Sequence, residues 1–70
     1  MQDYGKRLKQ ARLNKNITQV ELAKLLGITQ TSYQRMETGK HDLKMSTIYT
    51  ICKTLDISSD WLLGLAEDNE

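Results

Sequence analysis

Apolar residues recur at helical spacing along the whole chain. Tyr4, Leu8 and Ala11 are separated by Lys6, Arg7, Lys9 and Gln10, which predicts an amphipathic first helix over 3–14, closed by Asn14-Lys15-Asn16. Thr18, followed three residues later by Glu21, forms a capping box in which hydroxyl and carboxylate satisfy the free N–H groups of a second helix. That helix runs to Leu26 and stops at Gly27. Thr29 caps a third helix over 30–38, which Gly39 ends, and 40–44 is a polar loop. A fourth helix starts near Met45 and buries Ile48, Ile51, Cys52 and Leu55. Ser58 and Asp60 open a short fifth helix that carries Trp61, Leu62 and Leu63 and closes by Gly64. Strand-like alternation, internal repeats and a Gly/Ser linker are missing. The expectation is an all-α, five-helix compact bundle over 1–66 followed by an acidic tail, 67–70.

Helices two and three are joined across about three residues, so they must pack steeply. That packing needs a small residue where the backbones approach and a glycine where the chain turns, and Ala23 and Gly27 answer both needs. Leu22, Leu26, Ile28, Tyr33 and Met36 supply the apolar contacts around the corner. Projecting helix three at about 100° per residue places Gln30, Gln34, Thr38, Thr31 and Arg35 on an arc from about 0° to 140°. Met36 and Tyr33 fall at about 240° and 300°, on the far side. The outer arc therefore gathers hydrogen-bonding side chains and one guanidinium, with no carboxylate.

The net charge of +1 conceals an asymmetry. Residues 1–55 hold all ten Lys and Arg against four acids, a net +6, while the last fifteen hold five acids and no base, a net −5. Such a body attracts phosphate on one side and repels it on the other. Seventy residues allow one core and one function. A single cysteine, Cys52, makes neither an internal disulfide nor a zinc site, which fits a reducing cytoplasm, and it is expected as a buried, inert thiol. No apolar run approaches the roughly 20 residues that cross a bilayer, and the N-terminus lacks the apolar stretch of a secretion signal.

The segments Thr18-Gln-Val-Glu-Leu-Ala-Lys-Leu-Leu-Gly27-Ile-Thr-Gln30 and Arg35-Met-Glu-Thr-Gly39-Lys40 resemble the phage repressor and Cro family, the XRE-type regulators. The likeness covers 4–64 and extends to the Asp60-Trp-Leu-Leu-Gly64 ending. It implies a helix-turn-helix at helices two and three, with Gln30, Thr31, Gln34 and Arg35 reading base edges. Gln19, Ser32, Thr38 and Lys40 would hold phosphates, with Gln19 also bracing Gln30. Arg12 and Glu37 would form a structural ion pair between helices one and three. The chemistry agrees, because Gln pairs bidentately with adenine, Arg with guanine, and the Thr methyl meets that of thymine. Three departures stand out. Tyr33 occupies a position usually held by Val or Ile, so its hydroxyl needs a partner. Lys44 stands where Ser often caps helix four, and the loop Lys40-His-Asp-Leu-Lys44 lacks a frequent proline.

The reading that follows is a sequence-specific double-stranded DNA binder, a transcriptional regulator acting as a repressor. It would bind a pseudo-palindromic operator as a homodimer that is weak without DNA, its self-association surface being the last helix with Trp61, Leu62 and Leu63. Trp61 is otherwise expected to anchor the core. The alternative is an antitoxin-like or coactivator-like protein-interaction module on the same fold. Catalysis is not expected: there is one His, one Cys, no Gly-rich phosphate loop and no pair of acids facing one pocket. A cofactor or metal is not expected either, and solitary His41 is assigned to solvent or phosphate.

Overall fold

The computed structural model describes residues 4–40 and 43–67. His41, the first residue of the expected helix one, and positions 68–70 of the acidic tail lie outside the described residues. Five helices follow one another: α1 (Tyr4–Asn14), α2 (Gln19–Leu26), α3 (Gln30–Glu37), α4 (Met45–Leu55) and α5 (Ser59–Leu62), with no strand among the described residues.

Local chemistry sets the ends of these elements. The Thr18 hydroxyl accepts from Glu21 N–H at 3.1 Å while the Glu21 carboxylate accepts from Thr18 N–H at 2.8 Å, so the box at the start of α2 is closed from both sides. At the other end Gly27 adopts φ 73°, a left-handed conformation that costs glycine little. Gly27 and Ile28 then donate to Lys24 and Ala23 carbonyls at 3.1 and 3.0 Å, satisfying groups the helix leaves open. Helix α3 closes in the same way through Gly39 and Lys40, which donate to Met36 and Arg35 carbonyls. That closure ends the helix one residue earlier than the sequence spacing suggests. Thr38 becomes the C-cap, its hydroxyl donating to the Arg35 carbonyl at 3.0 Å. Helix α4 starts at Met45 behind Lys44, which makes no side-chain capping bond.

The core unites Leu8, Ala11, Leu22, Ala23, Tyr33, Met36, Ile51, Leu55 and Leu62. Each fully buried Leu, Ile or Met contributes about 1.5–3 kcal/mol relative to exposure. Helix α2 packs against both α3 and α4, while α1 packs against α3 and α5. The α1–α3 crossing depends on Gly5, which is buried. A Cβ there would stand 2.3 Å from the Glu37 carbonyl oxygen and 3.0 Å from that of Met36, both backbone atoms that cannot swing away.

Two core expectations are corrected. Leu62, fully buried, anchors α5, whereas Trp61 is only half-buried and packs against the edge of the core. A four-residue helix turns one large side chain inward, and the register selects Leu62. Cys52 is half-buried rather than buried, because Ile48, Ile51 and Leu55 occupy the inner side of α4. Burial still raises its thiol pKa, which keeps it in the unreactive protonated form.

Candidate nucleic-acid interface

Helix α3 has two sides with opposite chemistry. On the inner side Tyr33 and Met36 enter the core, and the Glu37 side chain is 5% exposed. A buried carboxylate must be paired and hydrogen-bonded, and this one is met from three helices. Arg12 Nε of α1 lies 2.7 Å from Glu37 Oε2, and Gln19 Nε2 of α2 donates to Oε1 at 3.1 Å. The Tyr33 hydroxyl, one turn earlier on α3, donates to Oε2. Arg12 Nη1 also donates to the Ile17 carbonyl at 2.9 Å, which ties in the link between α1 and α2.

Burial pushes the Glu37 carboxyl up, but hydrogen bonds from Arg12, Tyr33 and Gln19 outweigh it and hold its pKa below the ordinary value. The hydrogen bond to Glu37 in turn raises the Arg12 pKa. Burial, with the adjoining carboxylate, drives the Tyr33 phenol far above its usual range, so it serves as a neutral donor. The hydroxyl that a Val or Ile position would not carry thus has its partner four residues along the same helix.

The outer side is uncommitted. Gln30, Thr31, Gln34 and Arg35 are all exposed, and none of their side chains makes a hydrogen bond to another described residue. Thr38 and Lys40 are exposed beyond them. Ser32 is half-buried in the cap: its N–H donates to the Thr29 hydroxyl at 3.1 Å, and its own oxygen accepts from that hydroxyl at 3.0 Å. Gln19 is half-buried and reaches Glu37; among the described residues no bond joins it to Gln30, although both line one cleft of about 430 Å³. An ionised carboxylate only accepts, so the Gln19 amide must turn its NH₂ toward Glu37. Its oxygen and second N–H remain available. The structure thus groups Gln30, Thr31, Gln34 and Arg35 on one surface, with Gln19, Ser32, Thr38 and Lys40 around it.

Three contacts were not anticipated from the sequence, those of Gly5 and Arg7 and one made by Gln19. Gly5 carried a signal, since glycine inside a helix costs about 1 kcal/mol relative to Ala and so marks a close approach. Arg7 carried none: its Nη1 donates to the Trp61 and Ala66 carbonyls at 2.9 and 3.2 Å, and the guanidinium lies 5.3 Å from the Trp61 ring centre. The third is Gln19 in its bond to Glu37. No group of three or more His, Cys, Asp or Glu that could hold a metal occurs among the described residues. No described helix is long and apolar enough to cross a membrane.

A helix-turn-helix family profile matches residues 8–62. The chain belongs to the helix-turn-helix family. Two relatives from Bacillus subtilis (strain 168) are each 37% identical to it: the SPbeta prophage-derived uncharacterized HTH-type transcriptional regulator YonR over 60 residues, and the uncharacterized HTH-type transcriptional regulator YqaE over 67. The alignments take in 86% and 96% of this chain but 56% and 57% of those proteins. The chain therefore spans little more than half the length of these relatives. Among solved structures, the P22 c2 repressor in complex with a synthetic operator superposes with a TM-score of 0.85 over 94% of this chain and all of that one. At 24% identity that likeness establishes the fold, the five-helix domain of a phage repressor.

Proposed function

We propose that this chain is a sequence-specific double-stranded DNA-binding domain of a transcriptional regulator, acting as a repressor, that reads the major groove with α3. One observation carries the reading: the inner side of α3 is wholly consumed by the core and the Glu37 network, while its outer side is exposed, free of carboxylates and rich in base-pairing groups. Gln30, Thr31, Gln34 and Arg35 contact base edges, with Arg35 on a guanine and Gln30 on an adenine. Gln19, Ser32, Thr38 and Lys40 hold the phosphates that set the register, helped by the N-terminus of α2. Gln19 spends one N–H on Glu37, and its other polar atoms reach a phosphate and Gln30.

One α3 spans only a few base pairs, so two copies bind a pseudo-palindromic site with their reading helices about one helical turn apart. Association without DNA is weak, and the site of action is the bacterial or phage-infected cytoplasm. Supporting this reading are the family, the regulators YonR and YqaE, and a fold neighbour solved on an operator.

Selection of bound duplexes from a random pool, followed by affinity against salt on the best sequence, tests it. A shared motif with two related halves is expected, with log affinity falling by about 0.9 per log salt for each phosphate neutralised. Recovery of no motif, together with salt-insensitive binding to a protein, would favour an interaction module on the same fold.

A further inference from the structure

The apolar residues expected to form a contact surface at the end of the chain are instead held within the fold. Leu62 is fully buried, and Leu63 and Trp61 are half-buried. Helix α5 is a single turn of four residues, too short to be stable by itself. The backbone then doubles back. Gly64, at φ 82°, donates to the Trp61 carbonyl at 3.1 Å, and Leu65 and Ala66 both donate to the Asp60 carbonyl, at 2.7 and 3.2 Å. Arg7 of α1 grips this turn from outside. Its Nη1 donates to the carbonyls of Trp61 and Ala66, one on each side of Gly64, at 2.9 and 3.2 Å, and its guanidinium lies 5.3 Å from the Trp61 ring centre.

We propose that residues 59–66 are a strap latched onto α1 by Arg7, a conformational device that opens as a unit while α1 to α4 stay folded. Two arrangements support it. The strap helix α5 packs on α1 and α4, whereas α3 packs on α1 and α2. With the strap open, α1 keeps its hold on α3, α3 on α2, and α2 on α4. Arg7 and Arg12 lie on the same helix but point about 140° apart round it. Arg12 is spent on Glu37, so releasing Arg7 leaves that network intact. Opening withdraws Leu62 from the core and Trp61 from its edge, so the closed strap is the resting state and the open one a minor state. One consequence rests on the function proposed above: because α3 and its supports stay assembled, the strap opens as readily on DNA as off it.

Native-state hydrogen exchange in sub-denaturing urea tests the proposal. The amides of Leu62, Leu63, Gly64, Leu65 and Ala66 are expected to share one opening, more frequent than global unfolding and less steep in urea because it exposes less surface. Arg7→Met keeps the apolar stem and removes the donors, and should raise that shared opening about tenfold. Gly5→Ala strains the α1–α3 approach, which persists in the open state. It should make global unfolding more frequent and leave the strap opening unchanged. Strap amides that follow global unfolding at every urea concentration, or that respond to Gly5→Ala as they do to Arg7→Met, would overturn the proposal. So would an Arg7→Met chain whose strap exchanges at the wild-type rate. If Arg7→Met does not fold, the wild-type urea series and Gly5→Ala decide the question. A selected duplex should slow exchange in α1 to α4 and leave the strap opening unchanged; a strap slowed to the same degree would refute its independence of α3. Failure of every duplex to bind would contradict the proposed function and leave a strap that opens in urea standing.

Discussion

The two sides of α3 share eight residues and one backbone but do opposite work. Inside, Tyr33, Met36 and Glu37 have every polar atom engaged and almost no exposed surface. Outside, Gln30, Thr31, Gln34 and Arg35 have polar heads in solvent and no described partner. The difference shows how one short helix can hold the fold on one side and leave the other side free for the reading role proposed above. The one carboxylate on the helix, which would repel phosphate, is turned inward and neutralised by Arg12, so the outer side keeps only the charge of Arg35. Changes on the inner side should therefore cost stability, and changes on the outer side should cost selectivity.

The largest expected effect is at Glu37. Glu37→Ala strands the buried Arg12 charge and should cost about 3 to 5 kcal/mol in urea unfolding. A loss below about 1 kcal/mol would reduce the network to an ordinary surface pair. Acid titration gives the same contrast. The folded Glu37 pKa is depressed, so its contribution is fully present above the unfolded value near 4.5 and is lost as pH falls through the lower folded value. Glu37→Gln should flatten that acid limb.

Gly5→Ala comes next. Overpacking costs about 1–3 kcal/mol, and the gain in helix propensity returns about 1. With backbone 2.3 Å from the new Cβ, a net loss of about 1–2 kcal/mol is expected in thermal unfolding. A stabilised variant would contradict the close α1–α3 approach.

Much of this contrast was legible in the sequence because it is local. The Thr18–Glu21 box, the Thr29 cap and the Gly27 turn each involve residues a few positions apart, and helical projection alone turned Tyr33 and Met36 away from Gln30 and Arg35. The Arg12–Glu37 pair came from family resemblance, since nothing in local spacing joins residues 25 apart. What escaped depends on which helix lies against which. Arg7 finds its carbonyl partners 54 and 59 residues away, and the Gln19 link to Glu37 exists only once α1, α2 and α3 converge. Trp61 was misassigned because size suggests an anchor, while the register of a short helix gave that place to Leu62. Cys52 was misplaced for a related reason: it fits the buried spacing almost as well as Ile48, and only packing shows which residues the core leaves over.

The smallest effect on stability and the most direct test of the account coincide at Arg35. Arg35→Ala lies on the exposed side and should change stability by no more than about 0.5 kcal/mol. The deciding measurement is a thermodynamic cycle: binding of the wild-type chain and Arg35→Ala to the best selected duplex, and to the same duplex with the contacted guanine replaced. Arg35→Ala is expected to lose about 1 to 3 kcal/mol on the best site and much less on the replaced one. An equal loss on both duplexes would make Arg35 a backbone clamp and contradict the claim that it reads a base from the outer side of α3.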